Sequence, residues 1–502
     1  MTHLTPRPIL PSALLFAHLA ALLAALVLTG CVAEPESGTQ PEMRPASSFS
    51  SAATLSRIPS STAWPADDWW RAYGDPQLTE LIEEGLKDGP DVAMAVARLH
   101  SADGFRRQAH AALLPSGTGN ANVGEAKQSY NNGIPPMFVP HGWNDTGLAS
   151  LSFDFDIDLW GKNRAALRAA TSDSEAALLD VEQARLLLST NIANAYADLA
   201  RLFAERDVQV EAVRLRQDSQ ALVAKRVANG LDTKAELKQA DSLVPAARAE
   251  LLSIDESIGL ARNQIAALLG KGSDRGLAIK PPAAMVASRG LPVDVTTNLI
   301  GRRPDVVAAR VRAQAAAERI KVAHADFYPS ISLSALIGVQ SLGLSNLIKG
   351  TSSYGNAGPA LSLPIFDSGR IAGQYDVARG NYDQAVATYN QDVATAFHEV
   401  ADSVTSLSML GDRLGQSRES LADAEEAYAV ARRRYEGGLS TYQTVLTAED
   451  TVLQARVTVA DLQSRAFTLD VALVRALGGG LVRESSSPLA AAQTTVDQTN
   501  KE

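Results

Sequence analysis

Ser152-Phe153-Asp154-Phe155-Asp156-Ile157-Asp158 runs on through Leu159-Trp160-Gly161 into Lys162-Asn163-Arg164, and the two sides of this passage follow different periods. Before Leu159, carboxylates alternate with apolar side chains. Phe153, Phe155 and Ile157 therefore take one face of a strand, and Asp154, Asp156 and Asp158 take the other. Beyond Gly161, a residue suited to a break between strand and helix, the spacing is helical: Val181, Leu188, Ile192, Ala195, Leu199 and Leu202 step by 7, 4, 3, 4 and 3 residues. The aspartates do not make a calcium loop, because the glycine at the sixth loop position and the glutamate at the twelfth are missing. They read as the polar lumen wall of a barrel.

The same order returns further along. In Ser330–Ile337 serines alternate with Ile331, Leu333, Ala335 and Ile337. After Gly369, Val386, Val393, Val400, Leu407, Leu414, Leu421, Tyr428 and Tyr435 stand seven apart. Seven-residue repeats of this length specify coiled-coil packing. A helix over Ala165–Asn229 would run about 100 Å at 1.5 Å per residue, more than a compact domain needs. Leu269-Gly270, Gly230-Leu231 and Arg226 recur 208 residues later as Leu477-Gly478, Gly438-Leu439 and Arg434. Pro90-Asp91 and Pro115 recur 214 residues later as Pro304-Asp305 and Pro329, so the first copy holds six extra residues between Pro115 and Trp160. Each copy reads as a helix (about 76–112, then 294–326) ending at a proline, two strands, and two long helices joined at a glycine. The chain divides into a first structural repeat at 66–290 and a second at 291–480.

The ends differ from this body. Residues 1–30 read as an export signal: a basic start, an apolar run over Ala13–Leu28, then Leu28-Thr29-Gly30-Cys31. That tetrapeptide resembles a lipobox, with Cys31, the only cysteine of the 502-residue chain, as the lipidated residue. Residues 31–65, rich in Ser, Ala, Pro and Glu, read as a lipid-anchored flexible linker, and 481–502 as a disordered polar tail. With 46 basic and 56 acidic residues the chain is a poor candidate for nucleic acid. No nucleophile elbow, zinc motif or phosphate loop is present, so an enzyme is not expected, nor any cofactor or metal.

Beyond the signal, no stretch is apolar enough for a transmembrane helix, so a chain that spans a bilayer does so as a closed β-barrel. Four strands cannot close one. A dimer supplies eight, which leaves an interior filled by side chains, whereas a trimer supplies twelve, enough for a lumen. The fold class is therefore α+β: an internally duplicated membrane protein with a long coiled-coil α-helical barrel and a transmembrane β-barrel.

Over about residues 65–480 the chain resembles the TolC-type outer-membrane efflux proteins, in the lipoprotein branch typified by OprM. Five motifs carry the resemblance: Trp69–Leu78, Phe155–Arg164, Arg302-Arg303-Pro304-Asp305, Pro364–Arg370 and Tyr435-Glu436-Gly437-Gly438-Leu439-Ser440. The resemblance implies a homotrimer in the outer membrane, working as the exit duct of a tripartite pump for small molecules. Its partners would be a periplasmic adaptor, an inner-membrane pump of the resistance-nodulation-division class, and outer-membrane lipid. A type I protein secretion conduit and a pore-free lipid-anchored coiled-coil scaffold stand as alternatives. The turns at Gly230, Leu231, Gly438 and Leu439 would form the periplasmic tip and dock the adaptor. Where the family often places an acidic ring, this chain has Thr444 and Thr447, so the aperture lining is read as those threonines, with Asp450 in a salt bridge or at the lumen.

Overall fold

The computed structural model describes residues 38–39, 41–49, 52–58, 60–61, 63–283, 291–292 and 295–481. The export signal, Cys31 and the tail from residue 482 lie outside the described residues.

Eight principal helices and four long strands follow one order twice. The first set is α1 (Pro76–Asp88), α2 (Pro90–Ala111), β1 (Ser116–Ala126), β2 (Asn144–Ile157), α3 (Lys162–Ala228) and α4 (Lys234–Leu268). The second is α5 (Val295–Arg302), α6 (Pro304–Ala325), β3 (Ser330–Leu342), β4 (Ser353–Ser362), α7 (Arg370–Glu436) and α8 (Tyr442–Ala476). The long helices match to the residue: α3 and α7 each have 67 residues, α4 and α8 each 35. The first copy's extra residues fall in the loop between β1 and β2. No described helix is long and apolar enough to cross a membrane.

Two expectations need correction. The single helix expected over 76–112 is two, as is that over 294–326. Pro90 and Pro304 have no N–H to continue a helix, and a residue before proline is pushed toward extended backbone, as Gly89 is at ψ 129°. The segment read as a flexible linker is also packed in part. Phe49 stacks on Phe397 with ring centroids 6.0 Å apart, and Leu55, Ile58 and Trp64 pack against the core of the second repeat. Arg302 lies 4.6 Å over the Trp64 ring, and Ser60–Ser61 pairs in parallel with Leu291–Pro292.

The chain separates into two compact units, each drawing on both repeats. One takes His100–Glu175 and Val311–Ala387 together with described residues up to Glu42. It holds the sheet, antiparallel in the order β1-β2-β3-β4. The other takes Met43–Leu99, Ala176–Arg310 and the chain from Thr388. Its first core gathers Trp69, Leu81, Ile82, Ile192, Tyr196, Leu199 and Ile265, all under 3% exposed. Its second core gathers Leu299, Val306, Val393, Val400 and Leu473.

At the α5–α6 junction, buried Arg303 forks onto Asp305 (2.6 and 3.1 Å), reaches Glu399 at 2.5 Å and donates to the Ala476 carbonyl at 3.2 Å. One guanidinium thus joins α6, α7 and the end of α8. Removing one partner of a buried ion pair leaves the others uncompensated. Arg303→Met is expected to cost about 3 kcal/mol, read as a lower denaturant midpoint of the purified protein.

Candidate functional site

The sheet has two unlike faces. In register, Phe155 faces Leu333, Leu151 faces Ile337, and Ile157 faces Ile331, which in turn faces Leu361. Phe153, Ile337 and Leu361 on this side are 49%, 65% and 70% exposed in the single chain, so a greasy surface is left uncovered. On the other side Asp154 faces Ser334, Asp156 faces Ser332, Ser152 faces Thr118 and Ser150 faces Asn120. The edge strands β1 and β4 are exposed along nearly their whole length and have no further strand partner among the described residues.

Asp154 and Asp156 sit on β2 as expected, exposed on the polar side. Asp158 does not. The strand ends at Ile157, and the Asp158 carboxylate accepts hydrogen bonds from the backbone N–H groups of Asn163 and Arg164, both at 3.0 Å, and from the Arg164 guanidinium at 3.1 Å. It caps α3 by taking up donors that the first turn leaves without partners. Asp367 does the same for α7, accepting from Gly369 and Ile371. Trp160 donates to the Pro329 carbonyl at 2.6 Å and stacks on Tyr328, while Lys162 reaches Asp326 at 2.6 Å. The motif beginning at Phe155 therefore serves to seat the start of α3 beside the end of α6.

In the other unit, both hairpin turns close in one way. The Leu231 N–H bonds the Arg226 carbonyl and the Gly230 N–H bonds that of Val227; Leu439 and Gly438 repeat this with Arg434 and Tyr435. Gly230 and Gly438 take φ +72° and +75°, the left-handed cap conformation that glycine adopts without strain. Leu231 and Leu439 project from the turns, 63% and 73% exposed. An open groove between the end of α7 and the start of α8 is lined by Glu426, Val430, Arg434, Leu439, Thr441 and Thr444.

Beside the first turn, Arg226 forks onto Asp232 at 2.9 and 3.2 Å and lies 4.4 Å over the Tyr435 ring, whose hydroxyl donates to the same carboxylate. All three side chains are mostly buried. Burial works to raise the Asp232 pKa, but hydrogen bonds from Arg226 and Tyr435 override it and hold the carboxyl below its usual range. This cluster ties the turn of the first repeat to the last turn of α7.

Thr444 and Thr447 lie exposed on α8. Thr444 occupies the place that Glu236 holds on α4, where Glu236 and Thr233 complete a capping box; Thr444 instead sits 3.3 Å from the Thr441 hydroxyl. Thr447 donates to the Gln443 carbonyl. Asp450 is in a salt bridge with Arg216 of α3. Its neighbour Glu449, fully buried, accepts from Ser219 at 2.9 Å and faces the same guanidinium at 3.4 Å. Sequence reasoning gave Glu449 no role and passed over Arg216. The signal was there: Glu449 continues the apolar stripe of Tyr442, Val445, Leu446 and Val452.

The outer membrane efflux protein family model matches residues 81–271 and 295–479. Fusaric acid resistance protein FusA of Burkholderia cepacia is 36% identical over 365 residues, covering 72% of this chain and 68% of that one. Multidrug resistance outer membrane protein MdtP of Escherichia coli is 31% identical over 337 residues, covering 62% and 65%. The chain thus spans about two thirds of the length of these two relatives. The crystal structure of outer membrane protein VceC from Vibrio cholerae superposes with a TM-score of 0.78 at 45% identity, covering 83% of this chain and 100% of that one.

Tyr435→Phe deletes one hydrogen bond to Asp232 and is expected to cost about 1 kcal/mol; Arg226→Leu, which strands both partners, costs more. Because the Asp232 pKa is depressed, the cluster's contribution is full above the ordinary aspartate range and fades as pH falls through the depressed value. Asp232→Asn is expected to flatten that acid limb of the denaturation midpoint against pH.

Proposed function

Because this chain belongs to the outer membrane efflux protein family, we propose that it works as a homotrimeric, passive exit duct of a tripartite efflux pump. The observation that carries this reading is a sheet, greasy on one face and polar on the other, with two edges that have no strand partner among the described residues. Edge N–H and C=O groups without partners are not viable in lipid. Three copies supply twelve strands, pair every edge, turn the Phe153 face to lipid and turn Asp154 and Asp156 to the lumen. Cys31, acylated, holds the chain to the outer membrane, where more than one acyl chain gives stable anchoring.

The remaining parts serve the passage. The turns at Gly230-Leu231 and Gly438-Leu439, with the groove beside Leu439, dock a periplasmic adaptor. An inner-membrane pump of the resistance-nodulation-division class supplies the energy. The cargo is small toxic molecules, in keeping with the fusaric acid and multidrug resistance named for the relatives. Thr444 and Thr447 line the aperture. The charge of Asp450 is countered there by Arg216, so cation selectivity at that level is weak.

Planar bilayers containing the purified protein are expected to show discrete conductance steps, and the gene is expected to restore drug tolerance to a strain lacking its own outer-membrane duct. The double variant Leu231→Asp, Leu439→Asp is expected to keep the conductance and lose the tolerance, since docking and conduction use different residues. A protein that forms no pores in bilayers contradicts the reading.

A further inference from the structure

Arg216 on α3 serves two carboxylates of α8 at once. It bridges to Asp450, half in water, and stands 3.4 Å from Glu449, which is fully buried. The site is incompletely satisfied. Of nine buried side-chain polar atoms lacking a hydrogen-bond partner among the described residues, three are here: Arg216 Nη1, Glu449 Oε1 and the Tyr442 hydroxyl. A buried polar network that is partly satisfied is costly in the packed form and gains most from any change that completes it or opens it to water. The duplication did not copy the arrangement. The positions 208 residues from Arg216 and Glu449 hold Ala424 and Asp241, and Asp241 is only half-buried, with Gln220 and Lys238 as its partners.

The groups facing Glu449 are Arg216 and Ser219 from α3, Tyr428 and Arg432 from α7, and Tyr442 and Asp450 on α8 itself. With both acids ionised, two negative charges share the one guanidinium in contact with them, since Arg432 is paired with Glu436. A proton on Glu449 leaves one carboxylate matched to one guanidinium and supplies a donor to a site that lacks partners.

We propose that Arg216, Glu449 and Asp450 form a proton-tightened latch between the hairpin of the first repeat and that of the second. It holds α3 against α8 when Glu449 is neutral and lets them part when Glu449 is charged. Insofar as these hairpins bound an aperture, which rests on the duct reading above, the latch closes the duct on the acid side. Burial raises the Glu449 pKa, only partly offset by Arg216 and Ser219. A carboxyl whose pKa is raised in the packed form, and ordinary once in water, stabilises packing below the ordinary value. That support is lost as pH rises through the raised one. Tyr442, pushed up to about 12 by the same burial, stays protonated throughout.

The test uses the full chain reconstituted in lipid, with cysteines replacing exposed Lys225 on α3 and Gln443 on α8, and spin labels on both. Distances are read by pulsed electron resonance at about pH 5 and about pH 8, with bilayer conductance measured in parallel. The parted population is expected to grow by about threefold or more from acid to alkaline pH. Glu449→Gln, the neutral isostere, is expected to keep the short distance at both. Arg216→Gln, which leaves the buried acid without its counter-ion, is expected to move the transition to higher pH. A Glu449→Gln profile equal to that of the parent, or helices that part on the acid side, overturns the latch whatever the currents do. Distances that respond as predicted while no current is seen uphold the latch and remove the duct.

Discussion

A β-sheet edge carries a row of backbone donors and acceptors, and in lipid no water exists to take them. β1 and β4 present two such edges, and the face carrying Phe153, Ile337 and Leu361 asks for an apolar neighbour. Among the described residues nothing meets either demand. Closing the sheet on further copies of itself answers the first, and the bilayer answers the second. Other features of the proposed duct follow: three-fold assembly, a lumen wall of serine, threonine, asparagine and aspartate, and helices that continue from the strands.

Duplication explains how one chain meets this demand with few inventions. Each repeat brings two strands, a 67-residue helix and a 35-residue helix, and each 67-residue helix is started by an aspartate that follows the strand. Two of the differences between the copies bear on how the hairpins pair. Thr444 replaces the glutamate that caps the first copy's helix, and Ala424 stands where the first copy has Arg216. The pairing of α3 with α8 therefore carries a buried carboxylate on an arginine, a pair that Asp241 and Ala424 at the equivalent positions do not make. The two hairpins are alike in backbone and unlike in charge, which suits an assembly whose two copies make different contacts.

Much of this was legible in the order of residues. Period two, then a glycine, then heptads, places strands and helices without further information, and the offset of 208 residues pairs their ends. What escaped depended on contacts across the chain. Asp158 fits the alternation of Phe153–Ile157, but periodicity alone does not say where a strand stops, and two helix N–H groups claim its carboxylate. Phe49, Leu55, Ile58 and Trp64 are lost in a composition dominated by small and polar residues, although four spaced apolar side chains suffice to strap that segment to a core. Pro90 was a visible break that the helical period on either side concealed. The Arg226–Asp232–Tyr435 cluster joins residues more than 200 positions apart, a distance that no local pattern spans. Glu449 was the exception, an acid on an apolar stripe that could have been singled out from spacing alone.

The direct test of the central claim is the symmetry of the detergent-extracted particle by electron microscopy. The account predicts a hollow three-fold assembly that carries a detergent belt. A solid rod, or a monomer that stays in solution without detergent, would mean that the open edges of β1 and β4 are closed some other way, and the duct would have to be abandoned.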